Sequence, residues 1–106
     1  MGFFSSLKRN VAVTNAEMEF KDIAGEVNVI RSSIERGRPV SKDYVMKIVD
    51  RAKIAYRILH DEYEREMDNN TFHKSMYPDL SFEISQLEKY MKELDEILEK
   101  HYSENK

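Results

Sequence analysis

Histidine and paired acidic residues are the side chains of this sequence whose types could support chemistry. A metal site on a helix needs ligands three or four residues apart on one face, and His60 with Glu64 has that spacing. Two ligands do not complete a site, and the chain has no cysteine to add a thiolate. We therefore expect no metal and no cofactor, and we interpret His60 as a polar residue that closes the apolar face of its helix.

Acidic residues also occur in close pairs, at Asp61/Glu62 and Glu64/Glu66. General acid–base catalysis requires carboxylates in a desolvated pocket with separated pKa values. These pairs lie on strongly polar stretches of the sequence, so we predict that they form a solvated surface. Neither a glycine-rich phosphate loop nor a nucleophile motif is present. The sequence therefore predicts a protein that is not an enzyme.

The composition favours long helices. The chain has 106 residues, which is the size of one domain, and only 3 glycines and 2 prolines to interrupt helices. No alternation of polar and apolar residues typical of strands is sustained anywhere. No run of 18 apolar residues exists, so we predict no transmembrane helix and a cytoplasmic location.

Helix start and stop signals divide the chain into three helices, at about 14–36, 42–67 and 81–102. Thr14 with Glu17 forms a capping-box pattern, Ser41 and Ser81 are good N-caps, and Gly37 can end the first helix. The fold class predicted is all-α, an antiparallel three-helix bundle that could dimerise. Residues 14–102 make the single helical domain, between an amphipathic N-terminal segment at 1–13 and a frayed tail at 103–106.

Each predicted helix carries an apolar stripe at helical spacing, and such stripes pack into one core. The stripes are Ala16, Phe20, Ile23, Val27, Ile30 and Ile34; Val45, Ile48, Ala52, Ala55 and Leu59, continuing through Tyr63 and Met67; and Ile84, Leu87, Met91, Leu94 and Leu98. The second helix is the most apolar, and we expect it to be central.

Ile54 and Ile58 lie on the opposite side of the second helix from its main stripe. Exposed apolar residues are common, so this pair could be scattered surface residues. Alternatively, the N-terminal segment, a second copy of the chain or another protein covers them. The N-terminal segment itself could dock on the bundle, lie at a membrane surface or remain loose.

Two further surfaces lie in the predicted connections. The 69–80 loop carries Phe72, Met76 and Tyr77, which either contact a partner or plug the end of the bundle. Arg36, Arg38 and Lys42 form a basic turn, where they either neutralise the acidic last helix or bind an anion.

Taken together, these features predict a non-enzymatic protein-binding module, such as a small inhibitor, an immunity or antitoxin-like factor or an adaptor, plausibly bacterial or from a phage. Its partner would be another protein, a second copy of itself, or both, bound through Ile54 with Ile58 and the 69–80 loop. The alternative is a peripheral membrane or nucleic-acid binder that uses the N-terminus and the basic residues between 31 and 47. The overall charge of −3 makes nucleic acid the weaker alternative.

Overall fold

Three α-helices account for most of the structure, a computed structural model that describes residues 2–38, 40–71 and 75–102, with side chains from Leu7 onward. Helix α1 spans Gly2–Glu35, α2 spans Lys42–Asn69 and α3 spans Leu80–Tyr102. The described residues form no strand, and the helices pack side by side into an elongated body of 52 × 23 × 23 Å. The predicted all-α three-helix bundle is confirmed.

Helix α2 is central, because it packs extensively on both other helices, which touch each other less. Helices α1 and α2 are antiparallel, and their register is marked by ion pairs from Arg51 to Glu19 and from Arg9 to Glu62. Helix α3 runs parallel to α1, where the Arg31 guanidinium donates two hydrogen bonds to Glu93 at 2.5 and 2.6 Å.

The turn between α1 and α2 follows the sequence signals. Gly37 adopts a left-handed φ of 72°, and the N–H groups of Gly37 and Arg38 donate to the carbonyls of Ile34 and Ser33. This is the Schellman arrangement, which satisfies carbonyls at a helix end. Ser41 is the N-cap of α2, since its Oγ accepts a hydrogen bond from the Tyr44 N–H at 2.9 Å.

The predicted start of α1 at Thr14 is wrong, because the helix continues without interruption from Gly2. Thr14 is inside the helix and shares a hydrogen bond of 3.3 Å with the Tyr77 hydroxyl. Val13 is 1% exposed, so the core-facing pattern continues past the supposed cap. The packing of this earlier turn outweighs the local preference of threonine for a cap. The side chains of residues 1–6, within the predicted N-terminal segment, lie outside the described part of the structure.

The last helix begins at Leu80, one residue before the predicted cap. The Glu83 N–H donates to the carbonyl of Asp79 at 2.9 Å, so Ser81 lies within the first turn and is not the N-cap. Helix α2, which precedes the loop before α3, ends two residues later than predicted. Asn70 takes the left-handed conformation there, with a φ of 55°.

The three helices enclose one apolar core, to which the described part of the loop before α3 adds a tyrosine. Its buried members are Val13, Ala16, Phe20, Ile23, Val27 and Ile30 of α1; Val45, Ile48, Val49, Ala52, Ala55 and Leu59 of α2; Tyr77; and Leu80, Ile84, Leu87 and Leu94 of α3. Because Phe20 meets Phe82 near the start of α3, the first turns of α1 extend beyond that start. There α1 and α2 have no third helix beside them.

Alanine variants of Ser41 and Ser81 test which of the two serines is the N-cap of a helix. We expect Ser41→Ala to lower the free energy of unfolding by about 1 kcal/mol, because an orphan N–H of α2 loses its acceptor. The matched variant Ser81→Ala should change it by less than about 0.5 kcal/mol, as an exposed substitution that removes no cap. Urea unfolding of both variants measures the difference. Equal losses would contradict the assignment of Ser41 as the cap.

Candidate functional site

Helix α1 carries apolar residues on two opposite faces. One face is the core side; the other carries Leu7, Val11, Met18 and Val29, which are 50, 54, 61 and 54% exposed. At about 100° per residue these four positions fall within about 40° of one another, so they form a single line along the outside of the helix. We call this line the α1 outer stripe.

The structure separates the two isoleucines that the sequence paired. Ile58 is half-buried and packs against the core, where it lines a cavity with Ala12 and Val13 of α1. Ile54 is 63% exposed. It follows Arg51, which is bonded to Glu19 of α1, and therefore lies on the edge of α2 that adjoins α1. Ile54 thus remains available at the surface, whereas Ile58 is partly covered by α1.

The residues of the loop before α3 also differ in their exposure. Tyr77 is only 6% exposed, and its hydroxyl donates a hydrogen bond of 3.1 Å to the carbonyl of Asn10. It therefore fills the end of the bundle, as one of the two interpretations expected. Met76 is 71% exposed and therefore does not fill the end of the bundle. Phe72 lies outside the described residues.

The basic turn lies at the opposite end of the bundle. Arg36, Arg38 and Lys42 are all exposed, and none of them has an acidic partner among the described residues. Arg38 lines a cavity of about 350 Å³ with His101 and Tyr102 of α3. Arg31, the other arginine between residues 31 and 47, is neutralised by Glu93, and Arg51 further along α2 is neutralised by Glu19.

Two carboxylates predicted to be solvated are buried instead. Glu62 and Glu66 are 3 and 2% exposed and continue the buried face of α2, whereas Met67, predicted for that face, is 52% exposed. The interpretation of this acidic stretch as open surface is therefore wrong for these two residues. The physical reason is the absence of α3 at this level, where polar groups replace an apolar neighbour.

A network of charged hydrogen bonds surrounds the two carboxylates. Arg65 donates to both oxygens of Glu62 at 3.0 and 2.6 Å, and the Arg9 Nε lies 3.3 Å from Glu62 Oε1. The Ser75 hydroxyl donates to Glu66 Oε2 at 2.8 Å. The network borders a cavity of about 210 Å³ lined by Arg9, Asn10, Glu62, Arg65, Glu66, Thr71, Ser75, Met76 and Tyr77. It joins the start of α1, the end of α2 and the loop.

The two carboxylates have opposite tendencies to ionise. Burial opposes ionisation of Glu62, but hydrogen bonds from Arg65 and Glu66 and the charge of Arg9 outweigh burial and hold its pKa below the ordinary value. Burial, followed by the hydrogen bond with Glu62, raises the pKa of Glu66. Of the two carboxyls, Glu62 therefore has the stronger tendency to be charged and Glu66 the stronger tendency to hold a proton.

A third buried carboxyl lies between α1 and α3. Burial, a hydrogen bond with Glu17 and the charges of Glu17 and Asp79 raise the pKa of Glu83 to about 8, and Lys21 only partly offsets them. Its Oε1 atom has no hydrogen-bond partner among the described residues. Glu83 is therefore protonated at neutral pH and stabilises the packing of α3 on α1 only in that form.

The residues that could hold a metal lie on the surface of α2. Ligand atoms of His60, Asp61 and Glu64 all lie within 4.8 Å of one another, and His60 Nδ1 is 3.8 Å from Glu64 Oε1. Asp61 and Glu64 are exposed, and the His60 ring stacks on Tyr56 with centroids 5.5 Å apart. Exposed acidic groups this close to one another are common in proteins without a bound ion, so the cluster does not define a metal centre.

Comparison with family models, with curated proteins and with solved structures finds no match for this chain. No helix in the described part of the chain combines the length and the apolar character needed to cross a membrane. Any function must therefore be inferred from the surfaces described above.

The ionisation of the buried pair predicts different effects for two isosteric changes. We expect Glu62→Gln to lower the free energy of unfolding by about 2 kcal/mol at pH 7, because Arg9 and Arg65 lose a charged acceptor. Glu66→Gln should cost less than about 1 kcal/mol, since burial already opposes the charge of this carboxyl and an amide oxygen can still accept the hydrogen bond from Ser75. Chemical denaturation of both variants provides the comparison, and a larger loss for Glu66→Gln would contradict the stronger dependence of the network on the charge of Glu62.

Glu83 predicts a pH dependence of stability. Its pKa of about 8 in the folded chain exceeds the ordinary value of 4.5, so the folded state binds more protons between these values and stability falls as pH rises through them. Glu83→Gln should reduce this fall and stabilise the protein by roughly 1–3 kcal/mol at pH 8.5. Thermal unfolding from pH 5 to 9 measures the effect. The exposed Glu96→Gln variant is the control and should keep the wild-type pH profile.

Proposed function

We propose that this protein is a non-enzymatic protein-binding module and that its binding surface is the α1 outer stripe. The observation that carries the proposal is the alignment of Leu7, Val11, Met18 and Val29, each at least half exposed, along one side of α1. Single exposed apolar residues need no explanation. Several of them aligned on one side of a helix favour a surface that another protein covers.

The shape of the stripe favours an elongated partner. Leu7 and Val29 are 22 residues apart, which is about 33 Å along a helix. A helix laid along such a line contacts it through residues spaced three or four apart, as in helix-in-groove recognition. The surface therefore fits a helical segment better than it fits a small molecule.

The polar groups of the chain support a binding role over a catalytic one. The buried carboxylates Glu62 and Glu66 are held by Arg65 and Ser75 in a network that ties three elements together. Such a network stabilises the end of the bundle. His60, Asp61 and Glu64 are solvated on one helix, without the desolvated pocket that acid–base catalysis requires. A small regulator, inhibitor or adaptor is the kind of protein that these features suit.

A second candidate function is binding of an anionic polymer or membrane surface through the basic turn. The specific observation that favours it is the exposure of Arg36, Arg38 and Lys42 without acidic partners in the described part of the chain. Such binding would weaken steeply with added salt and would be lost in a variant with Arg36→Ala and Arg38→Ala. Binding through the α1 outer stripe should depend little on salt.

Paired methionine variants test the protein-binding proposal. We expect Met18→Asp to abolish capture of a specific protein from a lysate of the source organism, because a charge would be buried in the contact. The control is Met46→Asp, which changes a methionine that is 45% exposed on α2, away from the stripe, and should retain capture. Both changes should alter the free energy of unfolding by less than about 0.5 kcal/mol. Capture that survives Met18→Asp unchanged would overturn the proposal.

A further inference from the structure

We propose that the polar cavity between the start of α1, the end of α2 and the loop before α3 binds a small carboxylic acid in its anionic form. This is the cavity of about 210 Å³ that the network of Glu62 and Glu66 borders. Its lining residues are not those of the α1 outer stripe, so the inference is independent of the proposed function. It follows from unpartnered polar atoms, from the charge of the lining and from the size of the cavity.

Three buried polar atoms at this cavity have no hydrogen-bond partner in the described part of the chain. They are Glu66 Oε1, Thr71 Oγ1 and Arg9 Nε. The Arg9 Nε lies 3.3 Å from Glu62 Oε1 but makes no hydrogen bond with it. Glu66 is only 2% exposed, and a buried polar group without a partner is costly. Because all three residues line the same cavity, one ligand bound there can satisfy all three atoms.

The charge of the lining favours an anion over a cation. The acidic and basic side chains among the described lining residues are Arg9, Glu62, Arg65 and Glu66. Arg65 donates to both oxygens of Glu62, so the charge of this carboxylate is compensated. When Glu66 holds a proton, the two guanidinium groups leave one positive charge in excess, which a monoanion neutralises. A cation would instead add to the charge of the two arginines.

The three unpartnered groups can all donate hydrogen bonds to carboxylate oxygens. The Arg9 Nε–H and the Thr71 hydroxyl are donors, and Glu66 becomes one when it is protonated. A guanidinium is a planar fork of N–H groups that fits a carboxylate, and such charged hydrogen bonds are strong. Burial and the neighbouring Glu62 raise the pKa of Glu66, although Ser75 and Arg65 act against them. The raised pKa eases the proton uptake that a bond from Glu66 to the anion requires.

The size of the cavity limits the ligand to a few non-hydrogen atoms. A volume of about 210 Å³ corresponds to that of about seven water molecules in the liquid. Pockets for drug-sized ligands are larger, at about 300–1,000 Å³. A short-chain acid such as acetate therefore matches this cavity in size as well as in charge.

Titration with sodium acetate, followed by NMR of the full chain at neutral pH and constant ionic strength, tests the site. We expect saturable shifts of the Arg9 Nε–H signal and of the backbone N–H signals of Thr71 and Ser75. Acetamide has a similar shape without the charge and should bind at least tenfold more weakly. Thr71→Val should weaken acetate binding about tenfold, as expected for the loss of a hydrogen bond to a charged group.

Two arginine variants provide a charge-matched control. Arg9→Gln removes a positive charge from the cavity, and Arg38→Gln removes one from the basic turn at the opposite end of the bundle. We expect Arg9→Gln to weaken acetate binding more than tenfold and Arg38→Gln to leave it unchanged. The dispersion of the NMR spectrum shows whether each variant is folded. If Arg9→Gln does not fold, the comparison of Thr71→Val with Arg38→Gln decides in its place.

Glu66 links acetate binding to pH. The charged groups that face it are Glu62 and Arg65 of α2 and Arg9 of α1, and the loop adds the hydroxyl of Tyr77. Because the bound anion accepts a hydrogen bond from the protonated carboxyl, affinity should fall as pH rises from 6 to 8. In Glu66→Gln the amide donates at every pH. This variant should therefore lose the pH dependence and bind acetate at least as tightly as the wild type at pH 8.

Each result supports or overturns a defined part of the inference. Wild-type spectra without saturable shifts overturn the anion site and assign the cavity to water alone. Equal binding of acetamide and acetate overturns the choice of a carboxylate. Equal losses for Arg9→Gln and Arg38→Gln indicate non-specific attraction to arginine and overturn the cavity as the site. A wild-type affinity that is independent of pH overturns Glu66 as a donor to the ligand.

Discussion

The unequal lengths of the helices are the constraint on which the rest of the structure depends. Helices α1 and α2, of 34 and 28 residues, pair from Glu26 with Tyr44 to Arg9 with Glu62, whereas α3 has 23 residues and begins beside the middle of α1. Where all three helices are present, the interior is apolar. Beyond Leu80, Tyr77 of the loop lies in the third position, and the buried positions of α2 carry Glu62 and Glu66. Glu62 can be buried there because Arg65 donates to both of its oxygens and the charge of Arg9 lies close by, while Ser75 donates to one oxygen of Glu66.

This division explains how far the sequence could predict the fold. The spacing of apolar residues is sufficient for the three helices, their antiparallel order and the central position of α2, because burial on two sides demands it. The same reasoning fails after Leu59. Positions 62 and 66 continue the helical spacing of the core positions of α2. Both are glutamates, however, a residue type that is typical of a surface. The segment that packs against such a position decides whether it is buried or exposed, and a single sequence does not show which segment that is.

The free face of α1 shows a different limit. The spacing of Leu7, Val11, Met18 and Val29 is present in the sequence. A helix start placed at Thr14 assigns the first two residues to a separate segment and the others to isolated surface positions. Only a continuous helix joins them into one line. The capping pattern at Thr14 and Glu17 was the stronger local signal, and packing of Val13 in the core overrode it. An error of twelve residues in one boundary therefore concealed a surface.

The position of α1 in the bundle gives its outer face the greatest freedom to bind. Helix α2 is covered on two sides, and α3 packs mainly on α2. Helix α1 is also the longest helix, and beyond the start of α3 it packs against α2 and the loop alone. Its outward side therefore presents the longest straight surface of the described residues. Apolar residues in that place gain nothing for the stability of the isolated chain, since burial alone supplies the hydrophobic contribution. A contact outside the chain is what would turn Met18 and its neighbours into stabilising residues.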